Sequence, residues 1–300
     1  MLLSPSDALE FGIQILNVKA KTKEQKEIEF RKHYGSSSLD IAEMWYDLLQ
    51  LKKEAKLKEK ERGERGFKRF LIAMYWLWTY PKNTSMTASR FGICKEYCKG
   101  ESLWKWISRI ALLKDKKIKW DQSLDSADTE IFTVSADGID FRTWEKKHPL
   151  YNLDRKACSH KFKSCAAKYL IVLSIYSARC VMISGPYIGG VSDLNMFIKS
   201  GLMDKLKRSG KVAMVDKGFR ADYASDRKHH SYPNSFDSKE LHNFKSRCRL
   251  WQETFNHRIK HFAALEHTFR HGFEKHKIVF EAVVTIVQYQ MDNGAPVYSV

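Results

Sequence analysis

The sequence predicts an α+β protein in which a helical N-terminal part precedes a mixed-sheet domain. Up to about residue 120 the apolar residues recur at helical spacing, most clearly over 67–80 with Phe70, Leu71, Met74, Tyr75, Leu77 and Trp78. From about 126 the period changes, and short β-branched runs follow at 130–137, 168–176, 179–185 and 211–216. Two long helical stretches then close the chain, over roughly 239–264 and 275–292.

Residues 1–65 are expected to be helical, with a turn at Gly35 to Ser38. A charged run over 52–63 mixes signs at helical spacing, which fits a solvated helix face or a nuclear-import or DNA-contact patch. Pro81 stops the helix over 67–80. Asn83 caps a short helix to Phe91 and Gly92 breaks it. A longer helix then runs from Ile93 through Trp104, Trp106 and Ile110. Helix, glycine turn, helix is a helix-turn-helix pattern, in which Lys95, Lys99 and Lys105 would meet the phosphate backbone of DNA. A plain three-helix packing unit has the same pattern.

In the second part, strand 130–137 leads into a polar, aromatic loop with Trp144, His148, Pro149 and Tyr151. Strands 168–176 and 179–185 form a hairpin, and Gly185 to Gly190 is a turn. Asp193 opens a helix to about Leu206, Ser209-Gly210 ends it, and strand 211–216 follows. A loop of about twenty residues holds His229, His230 and Pro233, the two histidines expected at the surface as DNA contacts and not as ligands. The expected organisation is a helical N-terminal region (1–65), a helix-turn-helix DNA-binding domain (66–125) and a catalytic sheet domain (126–300).

The chain has 300 residues and a net charge of +17. Both parts carry it, with 25 basic against 17 acidic residues over 1–125 and 27 against 18 over 126–300. Such a field favours a polyanion partner, DNA or RNA. No apolar run approaches the ~18–20 residues of a membrane span. Met1-Leu-Leu-Ser-Pro lacks a basic region followed by an apolar one, so a protein that is not secreted is expected. Its six cysteines are then expected as reduced thiols. Cys158, His160 and Cys165, or Cys94 with Cys98, lack a second pair at zinc-finger spacing.

Three acids stand out. Asp137 and Asp216 each end a β-branched run and meet a glycine one or two residues later, which places a carboxylate where a buried strand turns. Glu253 lies in the helix over 239–264. At ~100° per residue, Arg249, Glu253 and Lys260 fall within about 40° of one another on one stripe. That stripe suits a metal ligand flanked by phosphate-binding cations, or an ordinary Arg–Glu pair on a solvated helix. The order strand, strand, strand, helix, strand, helix is that of a ribonuclease H-like domain. There the first and fourth strands lie side by side and bring Asp137 and Asp216 together, with the following helix supplying Glu253.

Residues 130–300 resemble DDE transposases of the PIF/Harbinger type. The resemblance rests on Asp137-Gly138, on 185–197 (Gly-Pro-Tyr-Ile-Gly-Gly-Val-Ser-Asp-Leu-Asn-Met-Phe), on Asp216-Lys-Gly-Phe219, on Arg249, Glu253 and Lys260 at their spacing, and on 282–296. Three positions depart from the pattern: Asp140 where histidine is frequent, Phe219 where tyrosine is usual, and Ser246 where tyrosine often stands. The resemblance implies a catalytic and metal-binding triad of Asp137, Asp216 and Glu253. It would hold two Mg²⁺ or Mn²⁺ ions, with Arg249 and Lys260 on DNA phosphates. Asp140 adds a fourth carboxylate, and Asp193 is a helix N-cap or an auxiliary metal residue. The implied activity is cleavage of transposon ends and joining of 3′ ends to target DNA. The implied partners are double-stranded DNA, a homodimer or larger synaptic assembly, and a separate DNA-binding accessory protein, in the nucleus of a eukaryote or otherwise in the cytoplasm. The alternatives are a domesticated, non-transposing DNA-binding protein and a structure-specific nuclease on the same fold.

Overall fold

The computed structural model describes residues 1–51, 57–120, 124, 131–144, 157–177, 179–219 and 229–294. His148, Pro149 and Tyr151, and the start of the charged run at 52–56, lie outside them. The first helices are α1 (Pro5–Leu16), α2 (Lys23–Tyr34), α3 (Ser38–Leu49), α4 (Glu64–Thr79), α5 (Thr84–Phe91), α6 (Lys95–Lys99), α7 (Glu101–Leu112) and α8 (Lys114–Lys117). Strands β1 (Phe132–Arg142), β2 (Ala166–Ser174) and β3 (Cys180–Ile188) follow, then α9 (Asp193–Lys199) and α10 (Leu202–Ser209). Last come β4 (Val212–Met214), β5 (His230–Ser231), α11 (Lys239–Lys260), α12 (Ala263–Glu266) and α13 (Phe273–Asp292). The chain forms two compact units. One takes Met1–Lys117, Ile259–His267 and the end of α13 from Ile278; the other takes Ile118–Arg258 and Thr268–Lys277.

In the first unit α1, α2 and α3 each begin with a capping box: Ser4 with Asp7, Thr22 with Gln25, Ser37 with Asp40. Each reciprocal pair satisfies two backbone N–H groups that the first turn leaves open. Trp45 packs among Phe67, Phe70 and Trp106 at ring distances of 5.2, 6.0 and 6.1 Å. Glu61, inside the charged run, is not on a solvated face; it is buried and bonded by Arg109 at 2.8 Å and Lys105 at 3.0 Å. Burial opposes its ionisation, but Arg109, the Lys58 N–H and Lys105 outweigh that and hold its pKa down to about 2.

The helix expected from Ile93 to Ile110 is two helices. Gly100, extended at φ −91° and ψ −179°, ends α6 and precedes α7. Lys95 is therefore exposed on α6, while Lys105 stands on α7 and is paired with Glu61. The side chain of Lys99 is outside the described part.

The second unit holds a sheet of five strands among the described residues, in the order β3-β2-β1-β4-β5. β1–β2 and β2–β3 are antiparallel; β1–β4 and β4–β5 are parallel. This mixed sheet after a helical N-terminal part is an α+β, ribonuclease H-like arrangement, and β1 and β4 are neighbours as the strand order requires. β2 is buried along its whole length, which is why its sequence is continuously apolar apart from Lys168 and Ser174. Leu170 and Val172 of β2 and Val134 and Ala136 of β1 pack with Phe197, Leu202, Leu206 and Phe219 in one core.

Several local expectations change. The helix expected from Asp193 to about Leu206 is two, α9 and α10, parted at Ser200-Gly201, where Gly201 takes φ +79°. β1 does not end at Asp137 but continues through Gly138 to Arg142, because it stays paired with β2 over that whole length. Gly185 to Gly190 is not one turn: β3 runs to Ile188 before the chain turns. His230 is not at the surface, since it forms β5 beside Ala213 and is buried with its ring 6.0 Å from Phe197. No helix among the described residues is long and apolar enough to cross a membrane.

Candidate active site

The parallel pairing of β1 with β4 stops at Ser135 and Met214. Just beyond it β1 carries Asp137, and two residues beyond β4 comes Asp216. A cleft at this end of the sheet is lined by Ser135, Ala136, Asp137, Val215 and Asp216, and from α11 by Arg249, Gln252 and Glu253. The structure thus brings Asp137, Asp216, Glu253 and Arg249 to one cleft. Lys260 ends the same helix, α11.

Alternation along β1 divides the acids between the two faces of the sheet. Asp137 projects toward α11, where the Asn256 amide donates to its Oδ2 at 2.7 Å and the Gly138 N–H to its Oδ1 at 2.8 Å. Asp140 belongs to the face that carries α9. It is opposite Lys168 on β2, whose Nζ lies 3.7 Å away, and it accepts the Ser159 hydroxyl. Lys168 Nζ also donates to Asp193 Oδ1 at 3.1 Å and to the Val191 carbonyl at 2.9 Å. Asp216 accepts the N–H of Gly218.

Asp193 is not the N-cap of α9. Ser192 caps the helix through the Asn195 N–H, which frees the next side chain to turn inward. The two glycines explain where it goes. A Cβ on Gly138 would lie 2.5 Å from Asp193 Oδ1, and one on Gly218 would lie 2.7 Å from Asp193 Oδ2. The Asp-Gly and Asp-Lys-Gly segments therefore leave a cradle for a third aspartate. Because Lys168 holds that carboxylate, it cannot move aside at little cost. Gly138→Ala should lower stability by about 1–3 kcal/mol, as expected for overpacking, and thermal melts would register it.

Crowding of like charges has an electrostatic consequence. Burial, then the charges of Asp216 and Asp193, push the Asp137 carboxyl up to about 7, against the bonds from Gly138 and Asn256. Asp193 is also raised, by burial above all, with Lys168 opposing and Asp140 and Asp216 adding to the shift. Glu253 differs. Its side chain is 60% exposed and its Oε1 lies 3.4 Å from Arg249 Nη2. Among the described residues no three His, Cys, Asp or Glu side chains stand ready to hold a metal ion, in keeping with a Glu253 turned toward Arg249. The donor chemistry nonetheless suits a hard cation. Oxygen donors gather there, Asp137 and Asp193 are raised partly by neighbouring carboxylates, and Gln252, only 2% exposed, has no partner for either side-chain polar atom.

The sequence reading missed Lys168, Gln252 and Asn256. Lys168 is a lone charge in an apolar strand. Gln252 and Asn256 occupy the buried stripe of α11 with Cys248, Phe255 and Ile259, and polar side chains at such positions were the available signal. Cys94 and Cys248 are free thiols, and burial pushes Cys180 and Cys248 up to about 12.

A mixed sheet with carboxylates gathered where β1 and β4 part is a ribonuclease H-like arrangement. Residues 136–288, just over half the chain, match the family described as DDE superfamily endonuclease, and the chain belongs to that family. Such enzymes generally use divalent metal ions and act on DNA. The matched span takes in Asp137, Asp140, Lys168, Asp193, Asp216 and Glu253. No curated protein and no solved structure matches the chain.

Proposed function

We propose that the chain is a DNA transposase of the PIF/Harbinger type, which cleaves transposon ends and joins their 3′ ends to target DNA. The observation that carries this reading is the shared cleft of Asp137, Asp216, Arg249 and Glu253 in a +17 chain. Asp137, Asp216 and Glu253 would hold two Mg²⁺ or Mn²⁺ ions. Bound there, the ions would supply activation of the attacking hydroxyl and charge stabilisation of the leaving 3′-oxygen. Asp137 must give up its proton to take part. Glu253 must leave Arg249, whose guanidinium then becomes available to a DNA phosphate, with Lys260 further along the helix. Asn256 fixes the orientation of Asp137 throughout. Lys168 keeps Asp193 and Asp140 neutralised beside the cleft. In the first unit, α5 to α7 would contact DNA in the manner of a helix-turn-helix, with Lys95, Lys99 and Lys105 near phosphates. Two ends cut together would call for a homodimer or larger assembly, with an accessory DNA-binding protein and a nuclear or cytoplasmic location following the host.

The Glu253–Arg249 pair favours a second reading, a DNA-binding protein of the same family that no longer cuts. Incubation of the purified chain with the DNA flanking its own gene separates the two. Mg²⁺-dependent nicks that EDTA suppresses are expected; binding without product would favour the second reading. Joining of pre-cut 3′ ends to a plasmid distinguishes a transposase from a nuclease that never joins strands.

A further inference from the structure

The cleft contains a side chain that the triad does not use. Gln252 reaches it from α11, is 2% exposed, and neither its Oε1 nor its Nε2 has a partner. One turn along the same face, Asn256 is 8% exposed; its amide is committed to Asp137 and its Oδ1 is unpartnered. Buried polar groups in folded proteins are nearly always bonded, and an exception calls for an explanation. Here the open atoms of Gln252 share a cleft with Asp137, Asp216 and Glu253. A carboxamide offers a neutral oxygen to a hard cation and two N–H donors to an anion. At a site already rich in negative charge, a neutral oxygen adds a ligand without adding repulsion.

We infer that Gln252 is a further ligand of this site, giving its oxygen to the divalent cation and its amide to a phosphate oxygen of the bound DNA strand, with Asn256 as the positioning residue that aims Asp137. This rests on the metal-dependent reading of the cleft. It also explains why a polar residue sits in the buried stripe of α11 among Cys248, Phe255 and Ile259. An apolar side chain there would pack as well and leave nothing unbonded.

The test is Mn²⁺ titration calorimetry on the full chain without DNA, with thermal melts in EDTA and plasmid nicking alongside. Gln252→Met keeps the length and removes both polar atoms. It should weaken Mn²⁺ binding by about 10-fold or more, in the range seen when metal-site support is removed, without lowering the metal-free melting temperature. Gln252→Glu keeps an oxygen and loses the amide; it should restore Mn²⁺ binding but not nicking. Parent-like Mn²⁺ affinity in Gln252→Met overturns the inference. So does weakened binding that Gln252→Glu fails to restore together with a lower metal-free melting temperature, which would mark a purely structural role. Asp137→Asn keeps the two levels apart. If it also binds Mn²⁺ like the parent, the metal reading of the cleft itself is wrong. If it loses binding while Gln252→Met does not, only the role of Gln252 falls.

Discussion

Asp137→Asn is expected to reduce metal-dependent DNA cutting by at least about 1000-fold, since several kcal/mol of charge stabilisation are lost at 1.36 kcal/mol per tenfold. The same substitution should leave the metal-free protein as stable as the parent, or more stable, near neutral pH. Asparagine keeps the shape and removes the charge that burial above all, and then Asp216 and Asp193, oppose. The sign follows from proton linkage. In the folded protein the Asp137 carboxyl is raised from the ordinary 3.8 to about 7. Between those values the native chain holds a proton that the unfolded chain has released. Stability of the metal-free parent therefore falls as pH rises from about 4 to about 7 and levels off above. Melts in EDTA across that range should show the slope in the parent and a shallower one in Asp137→Asn, where the raised Asp193 still contributes. The divalent ion must displace the same proton, so Mn²⁺ binding should tighten over the same interval.

Lys168→Met should be strongly destabilising to the second unit. Lys168 Nζ is the cation between Asp193, at 3.1 Å, and Asp140, at 3.7 Å; the Lys168 and Asp140 side chains are about nine-tenths buried and that of Asp193 is 29% exposed. Removing one partner of a buried ion pair leaves uncompensated charge and costs about 3–5 kcal/mol. In a unit of this size that is a fall of roughly 10 °C in melting temperature. Two further outcomes separate this cause from simple loss of packing. Asp193→Asn in the Lys168→Met background should recover part of the loss, with a coupling above about 1 kcal/mol in a double-mutant cycle. Millimolar Mn²⁺ should also raise the melting temperature more in Lys168→Met than in the parent, because a cation then meets the unneutralised acids.

The sheet order and the meeting of Asp137 with Asp216 were legible because they depend on periodicity and on which β-branched runs end in an acid. What was not legible depends on packing across the sheet. Asp-Gly looks like a turn, yet Gly138 stays within β1 and is small so that Asp193 can approach. Ser192-Asp193 offers two capping residues in a row, and only the three-dimensional arrangement assigns the cap to Ser192 and turns Asp193 inward. β5 has two residues, too few to show a period. The split of α6 from α7 rests on the conformation of Gly100, which the apolar pattern through Trp104 and Trp106 conceals. Lys168, Gln252 and Asn256 acquire their meaning only from neighbours on other elements.

The most direct measurement is plasmid nicking by the purified chain in Mg²⁺ or Mn²⁺, with the parent beside Asp137→Asn, Asp216→Asn and Glu253→Gln, each checked for folding. The carboxylate cleft predicts nicked product only from the parent, only with metal, and none in EDTA. Nicking at the parent rate by all three folded variants, or in the presence of EDTA, would contradict it.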